Sequence, residues 1–152
     1  MVEEGKEAPD FTLKSDAGEE VTLSHLRGKP VVLYFYPKND TPGCTTQAAG
    51  IRDAYGELER AGAVVLGVSP DSEKSHVKFR DKYGLPFTLL ADTDHAVADL
   101  YGVWGEKKYM GRTYVGVQRT TFVIDAGGTV TRVLRDVKPA THAADVLAAL
   151  AA

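Results

Sequence analysis

Read from the N-terminus, the apolar and polar positions alternate or cluster in the order strand, strand, strand, helix, strand, helix, strand, helix, strand, strand, helix. Phe11-Thr12-Leu13 and Val21-Thr22-Leu23 alternate in the strand manner around the turn formers Asp16-Ala17-Gly18, which predicts an N-terminal hairpin. The runs Pro30 to Tyr36 and Ala63 to Ser69 are dense in β-branched and aromatic residues and predict buried strands. Between them Ala48, Ile51, Tyr55 and Leu58 recur at spacings of three and four, so a helix with one apolar face is expected from Cys44 to Ala61, stopped by Gly62. Pro70-Asp71-Ser72 opens a second helix that runs to Tyr83 before Gly84. Phe87 to Leu90 predicts a short strand, and Asp92 or Thr93 would cap a third helix from about Asp94 to Tyr101. Thr120 to Asp125 and Val130 to Leu134 flank Ala126-Gly127-Gly128 as a hairpin. Thr141 opens a last helix through Leu150, with Ala144, Leu147 and Leu150 as its core-facing stripe.

Strands alternating with helices and closed by a hairpin imply an α/β class, a mixed sheet with helices on both faces. The 152 residues form one expected domain, 1–152, with no repeat or linker. A chain of this length buries about 68–70% of the surface its unfolded form exposes, so no disulfide staple is needed. The net charge of -3 provides no global basic field, which argues against nucleic acid or an anionic membrane as partner. The acidic start Met1-Val2-Glu3-Glu4 lacks the features of a secretory signal, and no apolar stretch approaches the ~20 residues of a membrane span. A cytoplasmic location is expected, which suits a chain with one cysteine.

That cysteine changes the picture. Cys44 follows the strand run through Pro37-Lys38-Asn39-Asp40 and sits just after Thr41 and Pro42, residues suited to the N-cap and first position of a helix. A lone cysteine in an apolar stretch is ordinarily an inert small hydrophobe. Here the neighbours are turn formers and hydrogen-bonding side chains, and the first turn of a helix favours an anion. A reactive thiolate is therefore expected at Cys44.

A cysteine in the first helix after a central strand, followed by strand, helix and hairpin, is the thioredoxin-like order. Pro37, Thr41 and Cys44 stand at the spacing P-x3-T-x2-C, which resembles the active-site signature of peroxiredoxins. The run Tyr36 to Thr45 is similar to the Q-type, or bacterioferritin comigratory, branch of that family. Gly67 to Asp71, Tyr83 to Phe87, Tyr101 to Lys108 and Arg119 to Asp125 match family blocks in the same order, so the resemblance covers nearly the whole chain. It implies a thioredoxin-like α/β fold with an N-terminal β-hairpin extension, and a thiol peroxidase working without haem, metal or flavin. Hydrogen peroxide and organic hydroperoxides are the implied substrates, thioredoxin or another external thiol the reductant. A monomer, or at most a weak dimer, is expected.

Depressing a thiol pKa does not by itself make a fast peroxidase. Moving it from about 8.5 to about 6 raises the thiolate fraction at neutral pH roughly 30-fold, and the accompanying loss of nucleophilicity takes back roughly tenfold. Alignment of the peroxide and donors aimed at its departing oxygen must supply most of the acceleration. The resemblance assigns these tasks to the Thr41 hydroxyl, the Gly43 and Cys44 amides and the permanent cation of Arg119. Pro37 would shield the sulfur and shape the pocket.

Two features depart from the family pattern. Position 49, where Q-type members often carry a resolving cysteine, is Ala49, and Arg80 occupies the alternative position in the second helix. Gln47 stands where glutamate is frequent. With no internal resolving thiol, one-cysteine behaviour is expected. Rival readings are weaker. His25, His76, His95 and His142 show no metal-ligand spacing and read as surface or capping residues, although a cysteine hydrolase would need His76 or His95 to meet Cys44 in space. Lys107, Lys108, Arg112 and Arg119, interleaved with Tyr109 and Tyr114, give residues 105–119 a charge of +3 and read as a solvated loop rather than a nucleic-acid patch.

Overall fold

Strand β3 (Val31–Phe35) shows why the chain folds as a layer with two cores. In the computed structural model, which describes residues 2–151 apart from the side chain of Tyr109, every residue of β3 is buried. Val31, Leu33 and Phe35 face one core, while Val32, Tyr34 and the following Tyr36 face the other. Side chains alternate across a strand, so an apolar run without polar interruption is what two covered faces demand.

Six further strands join it: β1 (Thr12–Ser15), β2 (Glu20–Thr22), β4 (Val64–Ser69), β5 (Thr88–Ala91), β8 (Thr120–Ile124) and β9 (Val130–Leu134). The sheet order is β2-β1-β5-β4-β3-β8-β9. β3, β4 and β5 are parallel, while β1 and β8 run antiparallel to their neighbours, so the sheet is mixed. Helices α1 (Pro42–Asp53), α2 (Tyr55–Arg60), α3 (Glu73–Tyr83) and α5 (His142–Ala151) cover the Tyr34 side. The other side packs α4 (Ala96–Tyr101) and a 3-10 turn, Leu23–Leu26. This is the thioredoxin-like α/β arrangement with the N-terminal hairpin β1–β2. Among the described residues, no helix is long and apolar enough to cross a membrane.

Four local expectations need correction. The helix predicted over 44–61 is two: Ala54 leaves helical geometry at φ -93, ψ 3, between Gly50 and Gly56. Glycine weakens a helix interior, and the break lets both segments keep buried faces, with Ile51 on one and Leu58 on the other. Helix α4 starts at Ala96 with His95 at its N-cap in left-handed geometry (φ 50). Asp92 still serves the helix start, its carboxylate accepting from the Val97 and Ala98 amides at 3.1 and 2.9 Å. In α5 the inward residues are His142, Ala143, Val146, Leu147 and Leu150, and Ala144 is exposed.

The fourth correction concerns the region read as a solvated loop. It is a hairpin of β6 (Trp104–Tyr109) and β7 (Arg112–Val117), a separate two-stranded sheet. Met110 (φ 51) and Gly111 (φ 77) make its turn, the double positive φ that suits two-residue hairpins. Residues Arg112 to Val115 are exposed, so no buried face imposes the apolar alternation by which a strand is recognised.

Candidate active site

The segment between β3 and α1 is held in place from below. Tyr36 OH donates to Asn39 Oδ1 at 2.6 Å, and the Asn39 amide nitrogen reaches Ser75 Oγ at 3.1 Å and His76 Nδ1 at 3.0 Å. The Asn39 backbone N–H donates to Asp71 at 2.9 Å. Asp40, in left-handed geometry, accepts from Lys82 Nζ at 2.8 Å and Tyr83 OH at 2.6 Å. These contacts fasten the loop to the N-terminal turn and the last turn of α3.

Loop and helix meet at Thr41, which takes the N-cap position with extended geometry, and Pro42 begins the helix. The Thr41 hydroxyl does not cap. It donates back to the Lys38 carbonyl at 3.0 Å, which corrects the simple N-cap reading and leaves the oxygen's lone pairs free to accept. Cys44 lies in the first turn with 2% of its surface exposed. The Gly43 and Cys44 amides fall among the first N–H groups of a helix, which have no acceptor within it. Pro37 is half-buried in the same loop.

Pairing of β3 with β8 sets Phe35 opposite Thr120, so the residue just before β8 emerges at the same end of the sheet as the start of α1. That residue is Arg119. Its guanidinium donates through one terminal nitrogen to Cys44 Sγ at 3.2 Å and through the other to Gln47 Oε1 at 2.8 Å. A charge-assisted hydrogen bond from a permanent cation is the contact a thiolate makes best. Gly43 makes it sterically possible: a Cβ there would lie 2.8 Å from the Arg119 nitrogen that holds the sulfur. Thus Cys44, Thr41, Gly43 and Arg119 are assembled at one helix start. The β6–β7 hairpin brings Lys107 and Lys108 beside Arg119, where with Arg135 they line a cleft of about 520 Å³. Burial and the Arg119 charge push Lys107 below the ordinary lysine range.

Two histidines correct the expectation of surface or capping positions. His76 and His142 are fully buried. His142 Nδ1 lies 3.2 Å from Gln47 Nε2, and its Nε2 lies 2.7 Å from Thr121 Oγ1. Burial pushes its pKa down to about 4. His95 is closer to expectation: it occupies the α4 N-cap, bonds Asp99 at 2.8 Å and stacks on Trp104. His25 is exposed. Among the described residues, no histidine hydrogen-bonds Cys44 Sγ, so the cysteine–histidine dyad of a hydrolase is not formed. Sequence reading assigned no partner to Gln47 and missed His142, whose separation of 95 residues from Gln47 leaves no local signal.

Comparison with known proteins agrees with this geometry. Residues 4–133 match the AhpC/TSA family. The chain is 48% identical to peroxiredoxin Bcp of Bacillus subtilis, over 98% of this chain and 95% of that one. It is 49% identical to peroxiredoxin Bcp of Escherichia coli, over 91% of this chain and 88% of that one. A solved structure of the Xanthomonas campestris bacterioferritin comigratory protein, concerned with its alkyl peroxide reduction activity, superposes with a TM-score of 0.90 at 40% identity, covering 98% of each chain. A thioredoxin-like fold, a cysteine in the first turn of its helix and an arginine bonded to that sulfur all stand in a chain of this kinship, which belongs to the AhpC/TSA family as a Bcp-type peroxiredoxin, a thiol-dependent peroxidase.

Proposed function

We propose that Cys44 attacks hydrogen peroxide and organic hydroperoxides, is left as a sulfenic acid, and is returned to the thiol by an external reductant of the thioredoxin kind. The observation that carries the reading is the 3.2 Å bond from Arg119 to Sγ at the start of α1. The thiolate attacks one peroxide oxygen, the O–O bond breaks, and the electron pair leaves on the second oxygen, which is protonated to water or an alcohol. Thr41, with its proton spent on the Lys38 carbonyl, accepts from the peroxide O–H and aligns it. The Gly43 and Cys44 amides and Arg119 stabilise the charge growing on the oxygens, the kind of contribution that donors aimed at a developing anion supply. Pro37 limits water at the sulfur. The cleft beside Arg119 has room for the organic part of a larger hydroperoxide.

Recycling follows from composition. The chain has one cysteine, and Ala49 stands about a turn and a half beyond Cys44 on α1, where a resolving thiol would otherwise sit. The sulfenic acid therefore condenses with an external thiol, releasing water, and a second thiol attacks the external sulfur of the mixed disulfide and releases the Cys44 thiolate. Thioredoxin supplies both thiols in one molecule. Such a cycle needs a reducing compartment, which favours the cytoplasm, and no second subunit, so a monomer suffices. Sulfenic acid without a reductant is open to further oxidation to sulfinic acid.

Stopped-flow oxidation by hydrogen peroxide and cumene hydroperoxide, with intact mass and a panel of thioredoxin, glutaredoxin and glutathione, tests the reading. A fast phase that adds one oxygen at Cys44, vanishes in Cys44→Ser and is reversed most rapidly by thioredoxin supports it. Equal peroxide consumption by Cys44→Ser would overturn it.

A further inference from the structure

Resting on the reading of Cys44 as the peroxidatic thiolate, we propose that His142 is a positioning residue for Arg119: a bare Nδ1 on His142 holds the Gln47 amide in the orientation that offers its oxygen to the guanidinium, and this keeps the guanidinium on Cys44 Sγ. Arginine is always a donor and never an acceptor. Its 2.8 Å contact with Gln47 therefore ends on the amide oxygen, and the amide NH2 faces His142 Nδ1 at 3.2 Å. An NH2 group can only donate, so Nδ1 accepts and carries no proton. In a neutral ring the proton then sits on Nε2, where it is donated to Thr121 Oγ1 at 2.7 Å. Thr121 lies on β8 one residue beyond Thr120, and His142 opens α5, so the relay fastens Arg119 to the sheet and to a second helix.

The polarity runs one way and fails as a unit. Protonating His142 would set an N–H against the amide NH2, and the amide could answer only by turning its NH2 toward Arg119, a donor facing a donor. The surroundings prevent this. Gln47 on α1 and Thr121 on β8 face the ring with the polarity described, and the Tyr34 ring of β3 packs against it with centroids 5.3 Å apart. Burial keeps the Tyr34 hydroxyl neutral by pushing it far above the ordinary tyrosine range. Arg119 opposes a positive charge on His142, while Asp145 of the same helix favours one, and burial outweighs Asp145. The ring is therefore neutral at neutral pH.

Two measurements test the proposal. In the unaltered protein at neutral pH, nitrogen-15 NMR should find His142 as the Nε2–H tautomer with a bare Nδ1; an Nδ1–H tautomer would overturn it without any variant being made. In stopped flow, His142→Phe should slow oxidation of Cys44 by hydrogen peroxide about tenfold, the order expected from a small misplacement near the reacting atoms. Iodoacetamide, which needs a thiolate but no donor for a departing oxygen, should lose no more than about threefold. His142→Asn should recover most of the peroxide rate, because its Oδ1 can stand where Nδ1 stands and accept from Gln47. Peroxide rates unchanged in both variants, or lost equally in both, would refute the role. Should His142→Phe not fold, the tautomer and the Asn variant decide. A slow unaltered protein would instead strike at the assignment of Cys44, so the two failures are told apart.

Discussion

Two buried histidines flank the start of α1, and they are wired alike but spent differently. His76 Nε2 bonds the Leu90 carbonyl at 2.9 Å, which fixes a proton there, and its bare Nδ1 accepts from the Asn39 amide at 3.0 Å. His142 repeats the pattern with Thr121 and the Gln47 amide. Both are pushed below the ordinary imidazole range by burial. The difference lies beyond the amides. Asn39 ends on Tyr36 and Ser75 and fastens a backbone loop, whereas Gln47 ends on the guanidinium that holds the sulfur. The same four-group wiring can thus serve stability on one side of a cysteine and reactivity on the other, according to what its last member touches.

Deleting Arg119 on one side and Asn39 on the other gives the largest test. Arg119→Ala should lower the peroxide rate by about 10²–10³-fold, the typical cost of deleting a donor aimed at developing negative charge, with the fold intact. Asn39→Ala should do the opposite. It removes the 2.6 Å acceptor of Tyr36 OH and the 3.0 Å donor to His76 Nδ1, leaving these buried groups only their long 3.5 Å contact with each other, a loss of about 1–3 kcal/mol in urea unfolding, while the peroxide rate changes far less. Comparable effects of the two variants on both rate and stability would erase the distinction.

Acid sharpens it next. An unfolded histidine takes its proton near pH 6.5, whereas folded His142 resists protonation down to about 4. Between these values the unfolded state binds more protons, so stability falls as pH falls through the window and levels off below it. The full difference corresponds to about 3 kcal/mol. His76 adds in the same direction, with Asp71 and Asp16 opposing its burial. Urea unfolding from pH 7 to pH 4 should show this slope, and His142→Asn should flatten it more than the corresponding change at His76. A slope unaltered by His142→Asn would mean that the ring is not the group being kept neutral.

Much of this architecture could be read from the chain before any coordinates. β3 was legible because both faces are covered, which leaves a run with no polar residue. Cys44 and Thr41 were legible because a helix start and a family signature both point to them, and Arg119 only because the family resemblance does. The β6–β7 hairpin was not, since exposed strands carry no apolar alternation and Met110 is an unusual residue for a left-handed turn position. The wiring behind Arg119 was hidden for a different reason. A buried histidine on a helix looks like any other histidine until a sheet register brings Thr121 beneath it, and Gln47 shows hydrogen-bonding capacity without showing where it is used.

Gly43 belongs to the same class, because turn chemistry explains a glycine near a helix start well enough to conceal its tertiary reason. Added at this position, a Cβ would lie 2.8 Å from the Arg119 nitrogen bonded to Sγ and 3.5 Å from the Pro139 ring. Real Cβ contacts do not come that close, and the guanidinium is the softer of the two neighbours, so it gives way. Gly43→Ala keeps helical geometry available and even favours it, since alanine is the better helix former by about 1 kcal/mol. The expected result is therefore a protein at least as stable as the parent whose peroxide rate is about tenfold lower, smaller than the loss in Arg119→Ala because the cation is displaced rather than deleted. Combining the two changes should cost no more than Arg119→Ala alone, since both act through one contact. Additive losses in the double variant would show that Gly43 acts on the peroxide by a route of its own, through its amide rather than through the space it leaves for arginine.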